Sequence, residues 1–152
     1  MASLLAKVKS VKVSSVLNND GGQYGKKFLT DGLDDTCWNS EQGSPQWVLV
    51  GFDQLVSVDE VHIVFQGGFV GKPCVFSVEV SDEKDKSKKK LGTCATVEPE
   101  DCNALQKFKL ESLPTTQLKI AFPGSTDFYG RVTIYKLDVI GTVSKSTKEK
   151  ET

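Results

Sequence analysis

Apolar residues alternate with polar ones in segment after segment of this chain. Over 9–17, Val11 and Val13 alternate with Lys12 and Ser14, the period of a strand with one buried face. Segment 46–52 puts Val48, Val50 and Phe52 on one face, and 58–66 does the same with Val61, Ile63 and Phe65. Gly67-Gly68 follows, where the chain must bend or admit a close neighbour. Across 74–81, Phe76, Val78 and Val80 alternate with Ser77, Glu79 and Ser81. Shorter strands are expected over 91–97, 105–110 and 118–122, and the last and longest over 130–141. In that last segment the apolar phase changes between Ile134 and Leu137, which predicts a bulge or bend near Tyr135-Lys136. No segment has a helical period. Strands separated by turn clusters such as Asn18-Asn19-Asp20-Gly21-Gly22 predict an all-β, antiparallel sandwich or barrel.

One stretch departs from the alternation. Residues 26–47, KKFLTDGLDDTCWNSEQGSPQW, are too polar for a core strand. Asp31-Gly32 is a turn signal, Asp34, Asp35 and Thr36 follow, and Trp38 and Trp47 bracket the rest. The pattern predicts a long ordered loop, held by the two tryptophans, at one end of the β domain.

The length of 152 residues is that of one ordinary domain. The expected division is an N-terminal extension over 1–10, the β domain over 11–141, and a polar, disordered tail over 142–152. The formal charge of −1 argues against a general nucleic-acid or membrane-surface binder, which carries a basic excess. At the N-terminus the only apolar run is Leu4-Leu5-Ala6, too short for a signal-peptide core, so the nucleus or cytoplasm is the expected location. Cys37, Cys74, Cys94 and Cys102 fit no zinc spacing and are expected as free thiols; two disulfides are the alternative in a secreted protein. The charge run over 82–90 reads as a solvated hairpin loop.

Catalytic constellations are wanting. The single histidine, His62, alternates with Val61 and Ile63 inside a strand, so no Ser-His-acid set can form around it. No glycine loop carries the lysine and serine of a phosphate cradle. A binding protein is expected, not an enzyme.

The order VSSVLN, FLTDGLDDTCW, QWVLVGF, FQGG, FSVEVSDE and GRVTIYKLDVIG resembles the galactose-binding-like class, the discoidin or coagulation-factor C-domain type of eight-stranded jelly-roll sandwich. Within it, DDTCWNSEQG, FQGGF and TDFYGRVTIY are similar to an intracellular, nuclear-receptor-associated subgroup described as a repressor partner of a testicular orphan receptor. The resemblance covers 11–141. It implies either of two functions. Extracellular and bacterial members bind sugars or lipid head groups through loops at one end, whereas intracellular members bind proteins there. For this chain it implies an intracellular protein-interaction module with a protein partner, a nuclear receptor; a lectin-like glycan-binding domain is the alternative.

The residues expected to carry binding are Trp38, Asn39, Ser40, Gln42, Gln66, Phe69, Tyr129 and Arg131. Arg131 is the only arginine in a chain whose Lys+Arg total is 19, which suggests that a planar fork is needed there. A pair with Asp127 or Glu41 is the plainer role for it. Phe128 is expected in the core. Many members of the class hold a structural calcium at the acidic loop. Asp31 and Thr36 match that ligand set, but its second acid falls on Leu33 and its last-strand acid on Lys136. Because a hard cation requires several oxygen ligands, no metal and no cofactor are expected; a bound calcium is the alternative. Lys136 is expected to bond Asp31 in the metal's stead, with Asp34 and Asp35 facing water.

Overall fold

The computed structural model describes residues 2–81 and 89–144. The charge run up to residue 88 and the tail from residue 145 lie outside them. Among the described residues nine antiparallel strands form: β1 (Ala2–Ser3), β2 (Val8–Val13), β3 (Trp38–Asn39), β4 (Gln46–Phe65), β5 (Cys74–Ser81), β6 (Lys89–Val97), β7 (Leu105–Lys109), β8 (Pro114–Phe122) and β9 (Thr133–Val143). Short helical turns occupy Leu17–Asn19, Gly21–Tyr24 and Lys26–Leu29. They shorten the first predicted strand and replace part of the predicted loop.

Strand β4 organises the sheet. The two strands expected over 46–52 and 58–66 are one 20-residue strand that folds back on itself. Its first half pairs with β2 and β8, its second half with β7 and β9. The register with β8 breaks between Gly51 and Val56, where exposed Asp53 marks the bend. One layer therefore runs β2-β4-β8-β5-β6 and the other β7-β4-β9-β1. Gln46 lies opposite Phe122 and Phe65 opposite Ile134, so both ends of β4 arrive at the same end of the sandwich.

The predicted alternation supplies the core. Val48, Val50, Phe52, Val61, Ile63, Phe65, Phe76, Val78, Leu118, Ile120, Ile134 and Val139 are all buried. The layers meet through aromatic pairs: Phe65 packs edge-on against Phe122 with ring centroids 6.0 Å apart, and Phe76 meets Phe108 at 5.8 Å. Gly71 lies so close to the Phe122 ring that a Cβ there would sit 2.2 Å from it. The predicted irregularity in the last strand is a bulge at Tyr135: Val64 and Phe65 face Lys136 and Ile134, and the skipped residue restores the apolar phase.

The sheet extends past both ends of the 11–141 span. Ala2 and Ser3 pair with Gly141 and Ile140, Leu4 is buried in the core, and its amide donates to Val139 O at 2.7 Å. Residues 142–143, expected in the tail, pair with Val56 and Ser57. Small, polar Thr142 conceals this, because it sits on an outward position.

Phe122→Ala removes the ring that both layers and Gly71 pack against. It is expected to cost about 3–5 kcal/mol, read as a lowered denaturation midpoint.

Candidate functional site

The loop end is held together by a buried amide. Gln46 Oε1 accepts from Ser14 Oγ at 2.5 Å and Ser15 Oγ at 2.8 Å. Its Nε2 donates to Gly43 O at 2.9 Å and Glu41 O at 3.2 Å. The serines continue the network: Ser14 Oγ accepts from Trp47 N, and Ser15 Oγ accepts from Glu41 N, both at 2.9 Å. Fully buried Trp38 donates from Nε1 to Ser15 O at 2.9 Å. Sequence reasoning missed Ser14, Ser15 and Gln46 as a unit. The paired serines were its only signal.

Ser40 ties this loop to the closing strand. Its amide donates to Val132 O at 3.0 Å, its hydroxyl accepts from Val132 N at 2.8 Å and donates to Glu41 O at 2.9 Å. Two expected binding residues are thereby corrected: Trp38 and Ser40 are buried and fully engaged, so they build the site without presenting surface. Asn39 is half-buried, with its Oδ1 accepting from Thr133 Oγ1. Gln42 is exposed.

The three expected loops do converge. Gly43 N donates to Tyr129 O at 2.7 Å. Gly130, at φ +84°, lies so close to residue 43 that a Cβ would come within 2.9 Å of its backbone. Thr133 N donates to Phe69 O, and half-buried Gln66 donates its amide to Thr133 O, each at 3.0 Å. A fourth segment, unexpected from the sequence, props the Gly67-Gly68 turn: Asn103 Oδ1 accepts from Gly67 N at 2.5 Å and Asp101 Oδ1 from Gly68 N at 2.7 Å.

Arg131 sits at the centre of the convergence. Its fork donates to Asp127, Nε to Oδ2 at 2.9 Å and Nη2 to Oδ1 at 3.1 Å, and its amide also donates to Oδ2 at 3.0 Å. These bonds hold the Asp127 carboxyl below its ordinary pKa, with the Arg131 side chain the largest cause, so the clasp stays ionised throughout the neutral range. The guanidinium carbon lies 5.0 Å from the Phe69 ring centroid and 5.7 Å from that of Tyr129, within cation–π range. Glu41 is not its partner; that carboxylate accepts from Asn18 N at 2.7 Å.

Phe128 overturns its core assignment. It is 93% exposed, and Tyr129 beside it is 56% exposed. The rings meet edge-to-face at 5.3 Å. Together with half-buried Phe69 they make an aromatic ridge at the loop tip. The turn 127–130, fixed by the Asp127–Arg131 clasp, aims Phe128 outward.

The acidic loop lies to one side, against β9. Asp31 accepts from Leu33 N at 3.0 Å and from Thr36 Oγ1 at 2.6 Å, bonds that lower its pKa, Thr36 foremost. Lys136 Nζ pairs at 2.5 Å with Asp34, not with Asp31. One more turn of chain brings Asp34 within reach of the ammonium, while Asp31 is consumed by its own loop. The calcium implied by the fold class does not fit these residues: Asp31 is engaged at both oxygens, Leu33 stands at an acid's position, and a cation is already present. Among the described residues no three His, Cys, Asp or Glu side chains gather to hold a metal.

The histidine and the cysteines lie apart from this loop end in role. His62 Nε2 pairs with Glu60 at 2.8 Å on the half-buried outer side of β4. The four cysteines are unpaired. Burial raises the thiol pKa of half-buried Cys37 and of Cys94. It raises that of Cys74 furthest, with a smaller push from Glu98. Such thiols are poor nucleophiles at neutral pH.

Millimolar calcium is expected to shift the thermal midpoint by less than about 1 °C relative to chelator, since an ion that does not bind the folded state cannot stabilise it. A rise of several degrees would contradict the reading of this loop.

The description "NedA-like, galactose-binding domain", of the F5/8 type C kind, matches residues 28–120. The Nuclear receptor 2C2-associated protein of Xenopus laevis is 48% identical over 141 residues, covering 93% of this chain and 99% of that one. Its Homo sapiens counterpart is 43% identical over 131 residues, covering 86% and 89%. Among solved structures, an F5/8 type C domain from Bacteroides fragilis superposes with a TM-score of 0.71 at 15% identity, over 89% of this chain and 92% of that one. A chitosan-binding module from a chitosanase/glucanase of Paenibacillus sp. IK-5 gives 0.70 at 18% identity, over 88% and 95%. At such identities the structural likeness is one of fold, the jelly-roll of galactose-binding-like domains. By its own sequence, the chain belongs to the NedA-like galactose-binding domain family, in the group of the nuclear receptor 2C2-associated proteins.

Proposed function

We propose that this chain is a non-enzymatic interaction module that docks a protein partner, a nuclear receptor, on the loop end of its sandwich. It acts there as a repressor partner in the nucleus or cytoplasm. The name its relatives carry supports the receptor, and four unpaired cysteines suit a reducing compartment.

The observation that carries the reading is the exposed Phe128–Tyr129 ridge on a rigid turn. Large aromatics held outward at little conformational cost are what interface hot spots use. The polar groups beside them are mostly spent. The Arg131 fork belongs to Asp127, the Ser40 hydroxyl is buried, and Asn39 Oδ1 is engaged by Thr133. A sugar site needs such groups aimed at ligand hydroxyls, so their internal use favours a protein. The glycan alternative rests on the fold shared with carbohydrate-binding modules.

The test is calorimetric titration of nuclear receptor 2C2 into the wild-type chain, Phe128→Ala and Tyr129→Ala. Each variant is expected to weaken binding by about tenfold or more, the scale of an interface hot spot, with an unchanged thermal midpoint. Wild-type affinity in both would reject the surface. Saturable binding to a galactose-type glycan, lost in the same variants, would favour the lectin-like reading.

A further inference from the structure

The loops that surround the ridge carry a one-sided charge. Glu41 flanks it on the side where Gly43 N bonds Tyr129 O. On the other side runs the exposed segment Glu98, Glu100 and Asp101. Its place is fixed by two contacts: Asp101 caps Gly68 N at 2.7 Å, one residue from Phe69, and Glu98 lies within electrostatic reach of Cys74 at the start of β5. Asp127 and Arg131 cancel each other. Within residues 38–45, 66–73, 98–104 and 123–132, Lys72 is then the one cation besides Arg131. The ridge is thus an apolar, aromatic centre with an acidic rim, on a chain whose overall charge is only −1.

From this we infer the chemistry of the partner segment: an apolar side chain, seated on Phe128 and Tyr129, flanked by lysine or arginine residues that face the 98–101 rim. The inference rests on the docking surface proposed above and adds which segment it selects. Rim charges of one sign steer a complementary segment to the surface and reject one of like charge, and they are screened by salt. The apolar centre supplies the salt-insensitive part of the affinity. Tyr129 and Phe69 also offer ring faces to an arginine or lysine of the partner, although Arg131 already occupies part of both.

The experiment measures the affinity of the full chain for nuclear receptor 2C2 between 50 and 400 mM NaCl, values chosen to span strong and weak screening. The triple variant Glu98→Gln, Glu100→Gln, Asp101→Asn removes the rim charge while keeping an acceptor for Gly68 N. Asp53→Asn, at the opposite end of the sandwich, is the control. The wild type is expected to weaken about tenfold across that range. The triple variant is expected to bind about fivefold or more weakly at low salt and to lose most of the salt dependence. Asp53→Asn should behave as wild type. If Phe128→Ala abolishes binding but the triple variant matches wild type at every salt concentration, the basic segment is rejected and the docking surface stands. If the triple variant binds more tightly, the partner segment is acidic and the inference fails. If Phe128→Ala leaves binding intact, the surface itself is wrong and the inference falls with it.

Discussion

Everything at the functional end of this molecule depends on one buried side-chain amide. Gln46 opens β4, the strand shared by both layers, and its four hydrogen bonds reach Ser14 and Ser15 after β2 and the 41–43 loop after β3. A buried amide without partners costs several times the net worth of one satisfied bond. The network therefore acts as a whole: removing any partner strands the others. It fixes the loop that Ser40 clamps to Val132 and that Gly43 clamps to Tyr129. Position is transmitted from the core to the ridge through those two clamps.

Rigidity is what suits the ridge to the docking role proposed for it. Phe128 projects into solvent with the Tyr129 ring edge-on beside it, a costly placement unless a partner covers it. Its turn is over-determined: Arg131 bonds Asp127 three times, and Ser125 Oγ accepts from Asp127 N and donates to Arg131 O. Such a turn loses little entropy on binding. The lone arginine serves here because a lysine has neither the fork for both carboxylate oxygens nor a plane to lie against Phe69. Arg131 is thus first a support of the proposed docking surface.

Most of the fold was legible in the sequence because its strands are half-buried and alternate. Val48-Val50-Phe52 and Phe76-Val78-Val80 state their inner faces directly, and even the Tyr135 bulge showed as a phase change. The continuity of β4 was hidden because polar Asp53 and Gln54 interrupt the apolar alternation between the two expected strands, though the strand runs through them. The loop end was legible as a place and less so as chemistry. Arg131 and Asp127 are four residues apart, and an only arginine invites a partner. Gln46 lies more than thirty positions from Ser14 and Ser15, and polar burial leaves no periodicity to read. Phe128 was misplaced because hydrophobicity cannot distinguish a core residue from a turn tip. Only the Asp127 clasp and the positive φ of Gly130 set which way it points. Lys136 found Asp34 instead of Asp31 because Thr36 and Leu33 had already claimed the Asp31 carboxylate.

The central claim is that the partner sits on the loop end. Amide chemical-shift mapping of the isotope-labelled chain during titration with nuclear receptor 2C2 tests it most directly, because it needs no mutation and surveys every surface at once. The account predicts perturbations concentrated in 66–72, 98–103 and 127–131, with the bend at 53–57 and the acidic loop at 31–36 unmoved. Perturbations confined to the outer sheet faces, or to the opposite end of the sandwich, would contradict it.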